Sequence, residues 1–284
     1  MTFSVVARDP RTGDFGCAVQ SKFLAVGSGT IHARAGTGAL ATQALSNVSF
    51  GPRGLALLDA GATAAQALDV LRGSDPLPER RQAGIVDAAG RAAAHTGSGC
   101  TGWAGHAVGD GFACQGNMLV SGGTVEAMVR VIRDEQDLPL PERLVRCLAA
   151  AQAAGGDARG QQSAALLVVR VGGGYGGLSD RLVDLRVDDH PDPIAELGRI
   201  LALHRLYFDR PKRDDLLPIE GDLLVEIAAR LSRARGELVD PADPAVVWTA
   251  LARWAGRENL EERMVEEGRI DPTILRVLRQ RDEL

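Results

Sequence analysis

An apolar, β-branched run from Phe3 to Arg8 opens the chain, and a second apolar run spans Phe15 to Gln20. Between them Asp9-Pro10-Arg11-Thr12-Gly13-Asp14 supplies turn chemistry, since proline fixes one dihedral and glycine frees another. The two runs therefore predict a β-hairpin at the start of the sequence. Ser28 to Arg34 and Gly38 to Gln43 read as two further short strands, with alanine and glycine allowing close packing. Pro52 to Gly61 predicts a short helix ended by glycine. Thr63 opens a second helix, in which Ala64, Ala67, Leu68 and Leu71 share one face.

Strand patterns return at Gln82 to Ala88 and Ala92 to Thr96, then at Ala104 to Val108 and Gly111 to Gln115. Two longer helices follow. Val125 to Glu135 carries Val125, Met128, Val129 and Ile132 on one stripe, and Pro141 to Ala154 stops at Gly155-Gly156. Ser163 to Val171 is a continuous apolar strand suited to cover on both faces, and Leu182 to Val187 is another strand. Pro193 to Phe208 predicts an amphipathic helix. Hairpins outnumber single βαβ units, so the fold class is α+β, with pairs of helices on sheet faces. Gly172 to Gly177 lacks the ending of a phosphate loop and leads into a strand, which predicts a flexible hairpin or active-site loop.

Near Pro211 the composition changes. A main domain over residues 1–210 and a helical domain over residues 211–284 are expected. Asp222 to Arg235, Pro244 to Trp254, Leu260 to Glu267 and Pro272 to Arg281 read as the tail helices. Asp243-Pro244 and Asp271-Pro272 supply helix caps followed by first-turn prolines.

The 284 residues are 45% hydrophobic and 24% charged, which excludes a disordered chain. The net charge of −5 argues against a nucleic-acid partner, and no apolar run approaches a membrane span. Arg80-Arg81 and Arg210 to Arg213 read as solvated faces. The four cysteines, Cys17, Cys100, Cys114 and Cys147, form no CxxC pair, so no zinc or redox signature appears, and neither a metal nor a cofactor is expected. The sequence starts directly on a strand pattern, which predicts a cytoplasmic protein with reduced, scattered thiols.

Thr2 is a candidate nucleophile because methionine aminopeptidase removes Met1 ahead of a small residue. A terminal α-amine, with a reference pKa of about 7.7–8.0, can then deprotonate its own threonine hydroxyl. Ser21 and Lys22 close the second strand, where a lysine can stabilise developing negative charge. Asn117 follows Gln115-Gly116 and offers an amide to an oxyanion. Gln43, Asn47, His95 and Gln115 complete the candidates, as substrate-binding groups near strand ends. The histidines show no metal-ligand spacing, and Cys17 inside an apolar strand is a poor nucleophile.

Thr2 to Pro10, Thr12-Gly13, Gln20 to Phe23 and Ala25 to Gly27 resemble the opening of the family catalogued as domain of unknown function 1028. Gln115 to Leu119, Gly176 to Arg181 and Asp184 to His190 resemble its later signatures, so the similarity runs from Thr2 to about Phe208. The resemblance implies a four-layer αββα sandwich of the N-terminal-nucleophile hydrolase type. It also implies amide hydrolysis through an acyl ester on the terminal residue. Where a proteasome-like network has an Asp after strand two and a Lys after strand three, this chain has Ser21-Lys22 and then His32 or Arg34.

In the tail, Trp254 to Arg263 and Ile270-Asp271 resemble a helical segment associated with peptidoglycan binding. No export signal is read ahead of the first strand, so Trp248 and Trp254 are expected to pack the helical core instead. The sequence therefore predicts an amidohydrolase of small amide or peptide-like substrates, forming a homo-oligomer, most simply a dimer. Two alternatives stand beside it. One is a non-catalytic binder of a metabolite or partner, and the other is an oligomeric scaffold assembled through the tail.

Overall fold

The computed structural model describes residues 2–236 and 238–280. Its first strands are β1 (Thr2–Arg8) and β2 (Phe15–Ser21), followed by the short helix α1 (Gly27–Thr30), β3 (Ile31–Arg34) and β4 (Gly38–Ala44). Helices α2 (Phe50–Asp59) and α3 (Ala64–Gly73) precede β5 (Arg81–Asp87), β6 (Ala92–Thr96), β7 (Trp103–Gly109) and β8 (Phe112–Leu119). Next come α4 (Gly123–Asp134), α5 (Leu140–Ala153), β9 (Ser163–Val169), β10 (Arg181–Val187) and α6 (Pro193–Phe208). The last elements are β11 (Leu217–Pro218), α7 (Gly221–Arg235), α8 (Pro244–Arg257), β12 (Arg269–Ile270) and α9 (Pro272–Gln280). Two compact units result, Met1–Leu201 and Ala202–Leu284.

In the first unit every strand pairing is antiparallel. The six-stranded sheet runs β10-β9-β2-β1-β8-β7 and the four-stranded sheet runs β3-β4-β5-β6. Residue alternation separates the faces. Phe3, Val5 and Ala7 point toward Met128, Leu144, Leu148 and Leu197 of α4, α5 and α6. The other face of that sheet sends Val6, Cys17, Val19 and Ala113 against Ala39, Ala41 and Val86 of the second sheet. Leu40, Ala83 and Ile85 then meet Phe50, Leu58, Leu68 and Leu71 of α2 and α3. The order of packing is helices, sheet, sheet, helices, which agrees with the α+β expectation. Alanine and valine make up most of the inter-sheet contact.

The local signals hold where caps are strong. Thr63 forms a capping box with Gln66 at the start of α3. The Asp243 carboxylate accepts from the Ala245 and Val246 N–H groups ahead of α8. Three expectations change. The run from Ser28 splits, with α1 preceding β3. Strand β8 extends through Gln115, Gly116 and Asn117 to Leu119, because all three find partners opposite them on β1. Leu260 to Glu267 is not a helix but a short turn, Glu261–Arg263, leading to β12. Buried Arg263 bonds Asp271 at 2.6 Å, a contact that the turn and β12 bring together.

The second unit packs Ile227, Leu231, Leu251, Trp254, Ile274 and Leu278 into a core of its own, with Trp248 half-buried against it. Both tryptophans thus serve the helical core as expected. The predicted final residue of α9, Arg281, lies outside the described residues. Among the described residues no helix is long and apolar enough to cross a membrane.

Arg81 also departs from expectation: it is buried rather than solvated, pairing with Asp75 at 3.0 Å. Burial alone would raise the Asp75 carboxyl, but donors from Asn47, the Leu77 N–H and Arg81 outweigh it and hold the pKa below its ordinary value. A carboxyl depressed on folding contributes stability above its unfolded pKa of about 3.9 and loses it as the pH falls through the folded value. Asp75→Asn should cost about 3 kcal/mol in urea denaturation at pH 7, with a smaller difference at pH 3. An equal loss at both pH values would remove the carboxylate from this account.

Candidate functional site

Strand register places two polar rows at one end of the first unit. In the six-stranded sheet Ser163, Ser21, Thr2 and Asn117 lie side by side across β9, β2, β1 and β8. In the four-stranded sheet Gln43, Gln82 and Thr96 lie side by side across β4, β5 and β6. Directly opposed residues share a sheet face, so each row acts as a unit. Thr2, Ser21, Gln43, Gln82 and Asn117 are all buried. Buried amides and hydroxyls need partners, and the rows supply them to one another across the layer.

Gln82 is the hub. Its Oε1 accepts from Gln43 Nε2 at 2.8 Å and from Asn117 Nδ2 at 2.9 Å. Its Nε2 lies 2.7 Å from the Gly116 carbonyl, 2.9 Å from Thr96 Oγ1 and 3.1 Å from the Gly105 carbonyl. With their orientation set, the Gln43 and Asn117 amides also reach the Thr2 carbonyl, at 3.2 and 3.5 Å. The Thr2 hydroxyl is 3.1 Å from Ser21 Oγ. One layer deeper, Gln115 Nε2 donates to Ser4 Oγ at 2.7 Å, and Ser4 donates to Gln43 Oε1 at 2.6 Å. Gly84 makes room for this layer: a Cβ there would lie 2.2 Å from Gln115 Oε1.

The expected residues thus divide. Thr2, Ser21, Gln43, Gln115 and Asn117 form one connected cluster. Lys22 is anchored beside it by its N–H, which donates to Asp157 Oδ2 at 3.1 Å, but its ammonium reaches the Gln161 carbonyl at 3.2 Å. Asn47 holds the turn before α2, donating to Asp75 Oδ2 at 2.6 Å and accepting from the Ser49 N–H at 3.1 Å. His95 Nε2 meets the Pro78 carbonyl at 2.9 Å. His32 bonds the Gly29 carbonyl and is kept neutral at pH 7, because burial lowers its pKa. The Gly172 to Gly177 loop joins β9 to β10 beyond Val169, which pairs with Phe15, so it lies at the opposite end of the sheet from Thr2. Met1 lies outside the described residues.

Gln82, Ser4 and Asp157 were not singled out by the sequence. Gln82 carries no motif and Ser4 sits unmarked within the Thr2 to Pro10 run, so only their alternation with apolar neighbours marks a face. Asp157 sits in the Gly155-Gly156-Asp157 turn, where an Asp after two glycines signals a backbone anchor. Burial pushes the Cys17 thiol up to about 12 and raises Cys114 and Cys147 as well, which removes them as nucleophiles near neutral pH. Among the described residues no group of three or more His, Cys, Asp or Glu side chains converges on a metal position.

The sequence pattern defining the family of unknown function DUF1028 matches residues 2–197. A second pattern, described as "Putative peptidoglycan binding domain", matches residues 207–278. The crystal structure of a DUF1028-family protein from Silicibacter pomeroyi is 29% identical and superposes with a TM-score of 0.65. That match covers 78% of this chain and 88% of the Silicibacter chain. No curated protein matches the sequence significantly.

Two outcomes are expected from this geometry. Gln82→Met should cost at least about 2 kcal/mol in urea denaturation, because it strands buried amides and carbonyls; a loss under 0.5 kcal/mol would show that Gln82 is not the hub. In a thiol titration of the native protein at pH 7.5, Cys100 alone should react. Modification of Cys17 before unfolding would contradict its burial.

Proposed function

The chain belongs to the DUF1028 family of unknown function, and we propose that it is an amidohydrolase whose nucleophile is Thr2 once Met1 has been removed. In this reading the helices–sheet–sheet–helices unit is a sandwich of the N-terminal-nucleophile hydrolase type. One observation carries it. Thr2 is a buried hydroxyl residue at the first position of a central strand, with its carbonyl clamped by two amides and its Oγ1 3.1 Å from a second hydroxyl.

The chemistry follows from those positions. The freed α-amine takes the proton of Thr2 Oγ1 as that oxygen attacks the substrate carbonyl carbon. The tetrahedral intermediate collapses, the C–N bond breaks, and the departing amine leaves with the proton. Water then adds to the threonine ester, the acid departs and the hydroxyl is restored. Ser21 orients Oγ1, while Gln43, Gln82 and Asn117 hold the Thr2 backbone still. Gln115 supports Gln43 through Ser4. Lys22 acts only by fixing the strand end through its N–H. The substrate is a small amide or peptide-like molecule, and the enzyme is a cytoplasmic homodimer, which light scattering of the purified chain tests.

A second reading, a non-catalytic binder, draws on one observation. The Gln43 and Asn117 amides are already committed to Gln82 and to the Thr2 carbonyl, so neither presents an unused donor to an oxyanion. Screening amides and ureides against the wild type and Thr2→Ala separates the two. The enzyme reading expects loss of turnover by at least 1,000-fold in Thr2→Ala and a rate rising with pH toward about 8, the range of a terminal amine. Mass spectrometry should find Met1 absent from the active protein. Turnover that survives Thr2→Ala, or activity in chains retaining Met1, would defeat the proposal.

A further inference from the structure

A cavity of about 530 Å³ lies at the other end of β1 from Thr2. Strand β1 spans seven residues from Thr2 to Arg8, which puts the two ends about 20 Å apart. Three chain segments build the cavity and are tied together by backbone bonds. The Arg8 N–H donates to the Gly111 carbonyl at 2.8 Å, and the Gly111 N–H donates to the Gly90 carbonyl at 2.8 Å. Helices α4 and α5 close it from the other side, bringing Ile132, Arg133 and Arg143. The volume lies within the range of about 300–1,000 Å³ typical of small-molecule sites.

The charges of this cavity are unevenly spent. Arg133 donates to Asp134 at 2.7 Å, and Arg143 donates at 2.9 Å to Asp9, a carboxylate it shares with Arg11. Arg8 and Asp110 line the same cavity, and among the described residues neither makes an ion pair or a side-chain hydrogen bond. Arg8 and Asp110, one cation and one anion without partners, therefore border a space with apolar walls at Phe112 and Ile132. A molecule carrying one charge of each sign would answer both, whereas an inorganic dianion would meet Asp110 with like charge.

We propose that this cavity binds a small zwitterion with an apolar body, either an apolar amino acid or a short peptide with free termini. Its carboxylate lies against Arg8, its ammonium against Asp110, and its side chain against Phe112 and Ile132. The site is separate from the Thr2 cluster and does not depend on catalysis there.

Calorimetric titration of the full chain tests it with L-leucine and L-leucyl-L-leucine as probes. At least one should bind with one-to-one stoichiometry. L-Leucinamide, lacking the carboxylate, and 4-methylpentanoate, lacking the ammonium, should each bind at least ten-fold more weakly. Arg8→Gln and Asp110→Asn should each weaken the zwitterion at least ten-fold without shifting the thermal midpoint, and Thr2→Ala should change nothing. The proposal is overturned if neither probe binds at millimolar concentration, or if 4-methylpentanoate matches leucine. It is also overturned if binding survives Arg8→Gln, or disappears in Thr2→Ala.

Discussion

Polar side chains buried between two sheets must find one another, and that requirement organises this molecule. Hydrophobic contact alone sets the register of the sheets loosely, because small side chains such as Ala39, Ala41, Ala113 and Ala165 recur through the layer. The amides of Gln43, Gln82 and Asn117 remove that freedom. Each must sit within hydrogen-bond reach of the others, so the two sheets are locked at one end in both translation and rotation. Thr2 inherits its position from this lock. Its carbonyl is a terminal acceptor of the network, which makes the first residue of β1 as well fixed as any core residue.

The fold was largely legible because strand and helix periods are local. Phe3, Val5 and Ala7 alternate with Ser4 and Val6, and the cap at Thr63 names its own helix. The site was legible only in part. Thr2 could be chosen for its chain position and Asn117 for its chemistry, but their adjacency rests on β8 continuing past Gln115. Glycine and asparagine at 116 and 117 carry turn propensity, and long-range pairing with β1 overrides it. Gln82 escaped notice for a related reason: a glutamine beginning a strand looks solvated until the opposite sheet covers it. Lys22 was attractive as a cation closing a strand, yet its long side chain turns to the Gln161 carbonyl, a choice that depends on a loop far away in sequence.

The second unit shows the same limit from another side. Its helices α7, α8 and α9 follow their apolar stripes and caps. The segment from Leu260 does not, because Arg263 is drawn inward by Asp271 and by the carbonyls of Arg205 and Leu206. A buried ion pair of this kind specifies a chain reversal that side-chain periodicity cannot express. Arg81 and Asp75 act likewise in the first unit.

Gly84 carries a consequence for how such a protein can change over time. The Gln115 amide occupies the space where any other residue at 84 would place its first carbon. A substitution at either position is therefore judged against the other: a side chain at 84 becomes acceptable only after 115 has become smaller, and a smaller 115 first abandons Ser4. The viable route between two such pairs passes through a weakened intermediate. Descendants of this chain should hold the two positions as a matched set, inherited together although 31 residues apart.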